Sequence, residues 1–451
     1  MKDKRKWMIT GVLLMVGCGI YAQSDTVGAW DLRACIDYAL QHSISVKQKR
    51  FSAVSAEVDE SLARATLLPN LSASIGQRMI NRPNSMNNTF TVENNVVSTQ
   101  SQTSYNGSYG IDANWTLYNG GKRMNTIRQQ RLNRKIKELN VNESENSLTE
   151  SIMQAYIQIL YEREAVEVNQ AVLELSMEQY RRGKAMLEAG SIAVCDLAQL
   201  KAQTGTDRYQ VVVSQATLAE SKLKLKQLLE LEGSEDMNLV LPEIDEAQVL
   251  VPLPDKENAY RAALAVRPEI AALKLNTEVA DLDVKIARAG YIPTVSLSAG
   301  IGTSHVNSDD FTFSQQVKQN WNNSLGLTVS IPLFDGKQTR NALKKARIQA
   351  KTDELQVLEQ QKVLYQTIES LWLDARNAQQ RYLAALEKLE SAQSSFNLVQ
   401  EQFDLGMKNT VELITEKNSL ISARQEVLQA KYMALLGIEL LRFYQGEPCT
   451  L

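Results

Sequence analysis

The chain has 451 residues, 44% of them hydrophobic, enough to bury a large core in two or three domains. Its formal net charge is −3 and no strongly basic segment stands out after the N-terminus, which argues against a nucleic-acid partner. Four cysteines without metal-ligand or framework spacing and two isolated histidines, His42 and His305, lead to the expectation of no metal, no cofactor and no catalytic residue.

In chain order, residues 1–22 read as a secretory signal peptide. Lys2, Lys4, Arg5 and Lys6 form its basic region, residues 7–20 its short apolar run, and Ala22-Gln23 its cleavage point. The apolar run is too short for a spanning helix, which needs about 20 residues. Met15-Val16-Gly17-Cys18 offers a second outcome, lipidation of Cys18; cleavage after Ala22 is favoured. Either way the mature chain leaves the cytoplasm.

Residues 23–231 form a first repeat and 258–445 a second, with 232–257 as an acidic, proline-marked linker and 446–451 as a short tail. The motif Ala63-Arg64-Ala65-Thr66-Leu67-Leu68-Pro69 returns as Ala287-Arg288-Ala289-Gly290-Tyr291-Ile292-Pro293. Leu117-Tyr118-Asn119-Gly120 returns as Leu333-Phe334-Asp335-Gly336, 216 residues later, and Gly190 through Asp196-Leu197 returns at the same offset as Gly406 through Glu412-Leu413. A period this long marks a duplicated subdomain, since solenoid units span about 20–50 residues.

Each repeat carries a strand pair, about 68–118 and about 291–334. Tyr105, Gly107, Tyr109, Ile111, Ala113, Trp115 and Leu117 alternate with Asn106, Ser108, Gly110, Asp112, Asn114 and Thr116. In the second copy Leu325, Leu327, Val329, Ile331 and Leu333 alternate with Ser324, Gly326, Thr328, Ser330 and Pro332. Polar loops, 81–103 and 305–320, join the strands of each pair. A soluble sheet with one wet face gives this alternation, and so does a membrane barrel with aromatics near the strand ends. Four strands cannot close a membrane barrel, and lipid tolerates no open edge, so the barrel reading requires several chains.

Each repeat ends in a long helix hairpin, 122–231 and 337–445. Pro69 and Pro293 stand at the entry to the strands, and Gly120, Gly121 and Gly336 at the corners into the helices. Gly190 and Gly406 mark the hairpin turns. Residues 337–405 read as one helix on the order of 100 Å long. Leu364, Ile368, Leu371, Ala375, Ala378, Tyr382, Ala385, Leu389, Ala392, Phe396, Val399 and Phe403 form its heptad seam. In the first copy Glu162 and Asn169 interrupt the corresponding seam, which points to a stationary first hairpin and a moving second one. A filamentous coiled coil does not explain the strand pairs or the reversals; a duct with a membrane barrel at one end and a helical barrel at the other does.

Taken together, Trp30-Asp31-Leu32 through Tyr38-Ala39-Leu40, the Leu117 to Gly121 corner and the Gly406 to Leu413 turn resemble the TolC-type outer-membrane efflux family over roughly residues 30–444. The resemblance implies a homotrimer seated in outer-membrane lipid, with a 12-stranded barrel and a 12-helix periplasmic tunnel. It also implies docking, near the hairpin turns, to a periplasmic adaptor (membrane fusion) protein and an inner-membrane transporter of RND or ABC type. Function is then passive export of small molecules or secreted proteins, with no enzyme activity. An adhesive trimeric outer-membrane protein with a helical stalk is the alternative. By the same resemblance the gate comprises Glu412, Thr415 and Glu416 on the second-copy turn, with Lys408 pairing to Asp196 of the first. Glu412, Thr415, Glu416 and Ser419 share one helical face. Threefold symmetry would bring three Glu412 carboxylates together and raise their pKa by like-charge repulsion. Phe403 stands where some members place an aromatic hydroxyl. Cys35 and Cys195 are expected tens of ångströms apart, hence unbonded.

Overall fold

The structure is a computed structural model describing residues 30–81, 103–231, 237–240, 242, 244–307 and 311–448, with backbone alone at 90–92 and 95–97. The leader, Cys18 and Cys449 lie outside the described residues. Described helices are α1 (Leu32–His42), α2 (Ile44–Ala65), α3 (Lys122–Glu188), α4 (Val194–Leu228), α5 (Glu246–Val249), α6 (Lys256–Val266), α7 (Pro268–Arg288), α8 (Phe313–Gln319), α9 (Gln338–Asp404) and α10 (Thr410–Tyr444). Strands are β1 (Asn70–Asn81), β2 (Phe90–Val92), β3 (Asn95–Val97), β4 (Thr103–Asn119), β5 (Thr294–Val306) and β6 (Asn322–Ser330).

The main sheet is antiparallel in the order β1-β4-β5-β6. The two strand pairs join through β4 and β5, whose register sets Tyr109 opposite Thr303, Ile111 opposite Ile301 and Trp115 opposite Leu297. Because side chains alternate faces, Leu71, Ile75, Ile111, Leu297, Leu325 and Leu327 share one side of the sheet. Ser72, Asp112, Gly300 and Ser324 share the other. Among the described residues β1 and β6 are unpaired edges.

Three local expectations change. The loop over 81–103 carries its own two-stranded ribbon, β2–β3. The 305–320 connection contains α8, tied to β5 by Thr303 Oγ1 donating to the Val317 carbonyl at 2.7 Å and by Asn320 Nδ2 donating to the Ser304 carbonyl at 2.8 Å. β6 stops at Ser330, before the alternating Ile331 and Leu333, because Pro332 has no N–H for the ladder.

Both corners run through left-handed backbone. Gly120 and Gly121 have φ of 66° and 78°; Gly336 and Lys337 have 66° and 69°. The second copy thus places a lysine where the first has glycine, at a cost of about 1–2 kcal/mol. The next helix is capped alike in each copy: Asn119 Oδ1 accepts from the Arg123 N–H at 3.2 Å, and Asp335 Oδ2 from the Thr339 N–H at 2.7 Å. Arg123 also donates to the Thr66 carbonyl at 2.7 Å and to that of Thr116, and Trp115 Nε1 to the Leu67 carbonyl at 2.7 Å. These bonds lock the sheet onto the helices.

α3 and α9 have 67 residues each, about 100 Å of helix. The hairpins α3–α4 and α9–α10 are both antiparallel and reverse through identical C-caps. Gly190 has φ 76°, with Ser191 N–H bonding the Met186 carbonyl at 2.8 Å; Gly406 has φ 71°, with Met407 N–H bonding the Gln402 carbonyl at 2.8 Å. Only glycine takes this conformation without a Cβ penalty. Toward the sheet the wall order is α2-α3-α7-α9, and toward the turns α10 packs on both α9 and α3.

The main core lies midway, where α1, the end of α4, α5 and the last turns of α10 pack on α3; Leu32, Cys35, Tyr156, Leu225 and Leu435 are buried there. The described residues 244–257 between the repeats pack against α9. Gln379 Nε2 donates to the Val249 and Val251 carbonyls, and Trp372 Nε1 to that of Pro254. Among the described residues no helix is long and apolar enough to cross a membrane.

Candidate functional site

The two hairpin turns meet at the end farthest from the sheet. Leu200, Phe396, Phe403, Leu413 and Leu420 form a buried cluster joining them, with Tyr180 and Met186 against it. A cleft between the turns is lined by Gly190, Asp196, Gly406 and Lys408. Every expected tip residue is therefore near this end, though the pairings differ.

Lys408 Nζ bonds Glu412 Oε1 at 2.6 Å, one helical turn away on its own strand of the hairpin. Asp196 Oδ2 instead accepts from the Ala193 N–H at 3.1 Å, capping α4. Within one protomer, then, Lys408 and Asp196 face the same cleft without pairing. Within one protomer the Lys408 ammonium and the Asn409 N–H hold the Glu412 carboxyl below its ordinary pKa. Glu416 turns away from the exposed face and accepts from Ser395 Oγ of α9 at 2.9 Å. Thr415 stays exposed, its hydroxyl donating to the Val411 carbonyl at 2.8 Å. Phe403 is buried in the tip cluster, so its ring serves packing.

Sequence reasoning missed the most heavily buried charge among the described residues. Lys417 of α10 is 0% exposed, and its Nζ bonds Asp207 Oδ2 of α4 at 2.5 Å and Ser176 Oγ of α3. Ser176 also bonds Asp207, and Gln203 Nε2 donates to Asp207 Oδ1 at 2.9 Å. Burial pulls the Lys417 pKa down while Asp207 opposes that shift. A second tie, Arg182 to Asp404, joins α3 to α9 nearer the turn. A third joins α10 to α3, where Lys431 Nζ lies 3.2 Å from Glu164 Oε1 and the Tyr432 hydroxyl bonds the same carboxylate. The signal for Lys417 was its spacing: Leu413, Lys417 and Leu420 occupy successive positions of one stripe, so the lysine sits where an apolar residue belongs.

Cys35 is buried in the main core, its thiol pKa pushed up to about 12 by burial and by Asp31. Cys195 is exposed in the first turn of α4, and both cysteines are free.

The outer membrane efflux protein family profile matches residues 35–230 and 259–446, one stretch in each repeat. The outer membrane efflux protein BepC of Brucella suis is 24% identical over 329 residues, 72% of this chain and 69% of that protein. The proteases secretion protein PrtF of Dickeya chrysanthemi is 21% identical over 456 residues, 98% of this chain and 92% of that protein. The solved channel CusC superposes with a TM-score of 0.79 at 18% identity, covering 92% of each chain, which fixes the fold. These findings favour export over the adhesive stalk, and they make the sheet a membrane barrel segment. The chain belongs to the outer membrane efflux protein family, an export channel seated in the outer membrane with its long helices in the periplasm.

Proposed function

We propose that three copies close side by side into one passive conduit, each contributing four barrel strands and two helix hairpins. The carrying observation is that both layers of the protomer end in open apolar edges. β1 and β6 are unpaired, and the smallest membrane barrels need about eight strands, so one four-stranded protomer leaves edges that lipid forbids. Beside them α2 exposes Phe51, Val54, Val58 and Leu62 at helical spacing, 54% or more of each side chain. At the other flank of the wall α9 exposes Ile348 and Leu355. Joining α2 of one copy to α9 of the next buries both stripes and pairs β1 with β6. Three copies give the 12 strands and 12 helices that the family resemblance implies.

In this reading a periplasmic adaptor seats on the hairpin turns at Gly190 and Gly406, and an inner-membrane transporter of RND or ABC type supplies the energy. The naming of relatives for efflux and for protease secretion supports such partners. The gate is the tip: Asp196, Lys408, Glu412, Thr415 and Glu416, with Lys408 of one copy within reach of an acid on a neighbour when the tips converge. Native mass spectrometry of the detergent-extracted protein tests closure: a particle of three chains is expected, and a stable monomer or dimer refutes it. Conductance of Lys408→Ala and Asp196→Ala tests the lock, which fails if both match the parent.

A further inference from the structure

The charge along the tube is uneven. Residues 122–137, the start of α3, hold seven Lys or Arg and no Asp or Glu; residues 337–352, the start of α9, hold six and none. Thirteen of the chain's 49 basic residues thus fall in 32 positions of a protein whose net charge is −3. A strongly basic segment does therefore follow the leader in each repeat, contrary to expectation, hidden by a net charge near zero.

Folding accounts for only part of the band, Arg123 bonding the Thr66 and Thr116 carbonyls. Among the described residues only Arg131 and Arg134 of the thirteen reach a carboxylate, chiefly Glu60 of α2. Lys337, Arg340, Lys344, Lys345, Arg347 and Lys351 are all exposed. Spacings of three and four set Lys337, Arg340, Lys344, Arg347 and Lys351 in like-charged succession, an arrangement that destabilises a helix unless an anion lies outside it.

Position identifies that anion. The band begins at the barrel corners, and at 1.5 Å per residue its first ten positions lie within about 15 Å of them. The headgroup layer outside the hydrocarbon is about 5–8 Å thick, and charge acts across a further Debye length of about 8 Å. Immediately before Lys337 the chain exposes Ile331, Leu333 and Phe334, by 61%, 94% and 85%. An apolar turn that inserts, followed at once by basic side chains, is the composition of an interfacial anchor.

We propose that Lys337, Arg340, Lys344 and Lys345, with Lys122 and Arg128 of the first copy, bind the phosphate groups of anionic phospholipids in the periplasmic leaflet. This extends the outer-membrane placement from general lipid contact to selection of a headgroup charge. Each basic side chain near an anionic surface adds roughly fivefold to lipid retention, and the effect fades with salt.

The test uses the full-length protein in nanodiscs of equal phosphatidylethanolamine and phosphatidylglycerol, released for native mass spectrometry. The parent should retain phosphatidylglycerol at least fivefold over phosphatidylethanolamine, and K337Q/K344Q/K345Q should fall toward equal retention. The K344R/K345R variant should keep the preference, separating charge from loss of fold. Equal retention by the parent overturns the proposal. So does an unchanged ratio in the glutamine variant, or a shift in bilayer ion selectivity without a lipid change, which would put these charges in the lumen. Particle mass, read from the same spectra, reports three-copy closure independently.

Discussion

The two hairpins share a backbone plan and differ in what fills the seam. In the first, Glu162, Asn169, Ser176 and Gly183 recur every seven residues and all are buried. At the same positions, 216 residues on, the second copy has Ala378, Ala385, Ala392 and Val399. Asp207 of α4 likewise corresponds to Ala423, while Lys417 corresponds to the exposed Lys201. Duplication thus preserved register and let the copies specialise. One seam carries polar side chains, with Glu162 accepting from Gln158 Nε2 at 2.7 Å and Ser176 bonding Asp207 and Lys417; the other depends on close apolar packing. The polar seam is also where the second hairpin inserts its lysine, so the difference within each copy is what binds one copy to the other.

This contrast can be broken most sharply at the buried charge. Lys417→Met leaves Asp207 buried and unpaired and should cost about 3–5 kcal/mol, read as a lowered unfolding midpoint of the extracted protein. Lys417→Met combined with Asp207→Leu should recover most of the loss, since both charges are then gone. If the single variant unfolds like the parent, the tie carries no stability.

The apolar seam should respond to size rather than charge. A Cβ at Gly437 would lie 2.8 Å from the Ala375 Cβ and 2.9 Å from its Cα, contacts that backbone cannot relieve. Gly437→Ala should therefore cost about 1–3 kcal/mol by overpacking. In the first hairpin a Cβ at Gly205 meets nothing within 4 Å. Gly205→Ala should instead gain about 0.5–1 kcal/mol from helix propensity. Opposite signs in thermal melts sustain the contrast, and equal ones would erase it.

The smallest effect belongs to pH. Glu412 has its pKa lowered by Lys408 and Asn409, so its contribution is present above the ordinary glutamate value, about 4.3. It fades as pH falls through the depressed value, because the folded tip then takes up the proton it resisted. Protection factors of the tip amides, corrected for the intrinsic exchange rate, should fall in acid, and Glu412→Gln should show the lowered protection already at neutral pH. Protection independent of pH in the parent would contradict this.

Much of the fold was legible because period and repetition survive without neighbours. The α9 seam predicted from Leu364 to Phe403 is buried or half-buried throughout, and the predicted alternation places Tyr109, Ile111 and Trp115 on one face of β4. What escaped depends on partners distant in sequence. Lys417 stands on an apolar stripe, but the carboxylate that satisfies it lies 210 residues away. Glu416 fits an exposed stripe until Ser395 of the neighbouring helix captures it. Pro332 ended β6 although the side-chain pattern continued, since alternation records burial preference and not the missing N–H. The basic band was visible in the letters and was lost only by averaging charge.

Resting closure of the proposed conduit rests on two ties, the Lys408 lock between copies at the tips and the buried Lys417–Asp207 pair between the hairpins. Single-channel recording in planar bilayers tests it most directly, comparing the parent with Lys408→Ala and with Lys417→Met/Asp207→Leu. A small, stable conductance in the parent that rises severalfold in the untied variants is predicted. No channel in any of them, or one conductance shared by all, would contradict it.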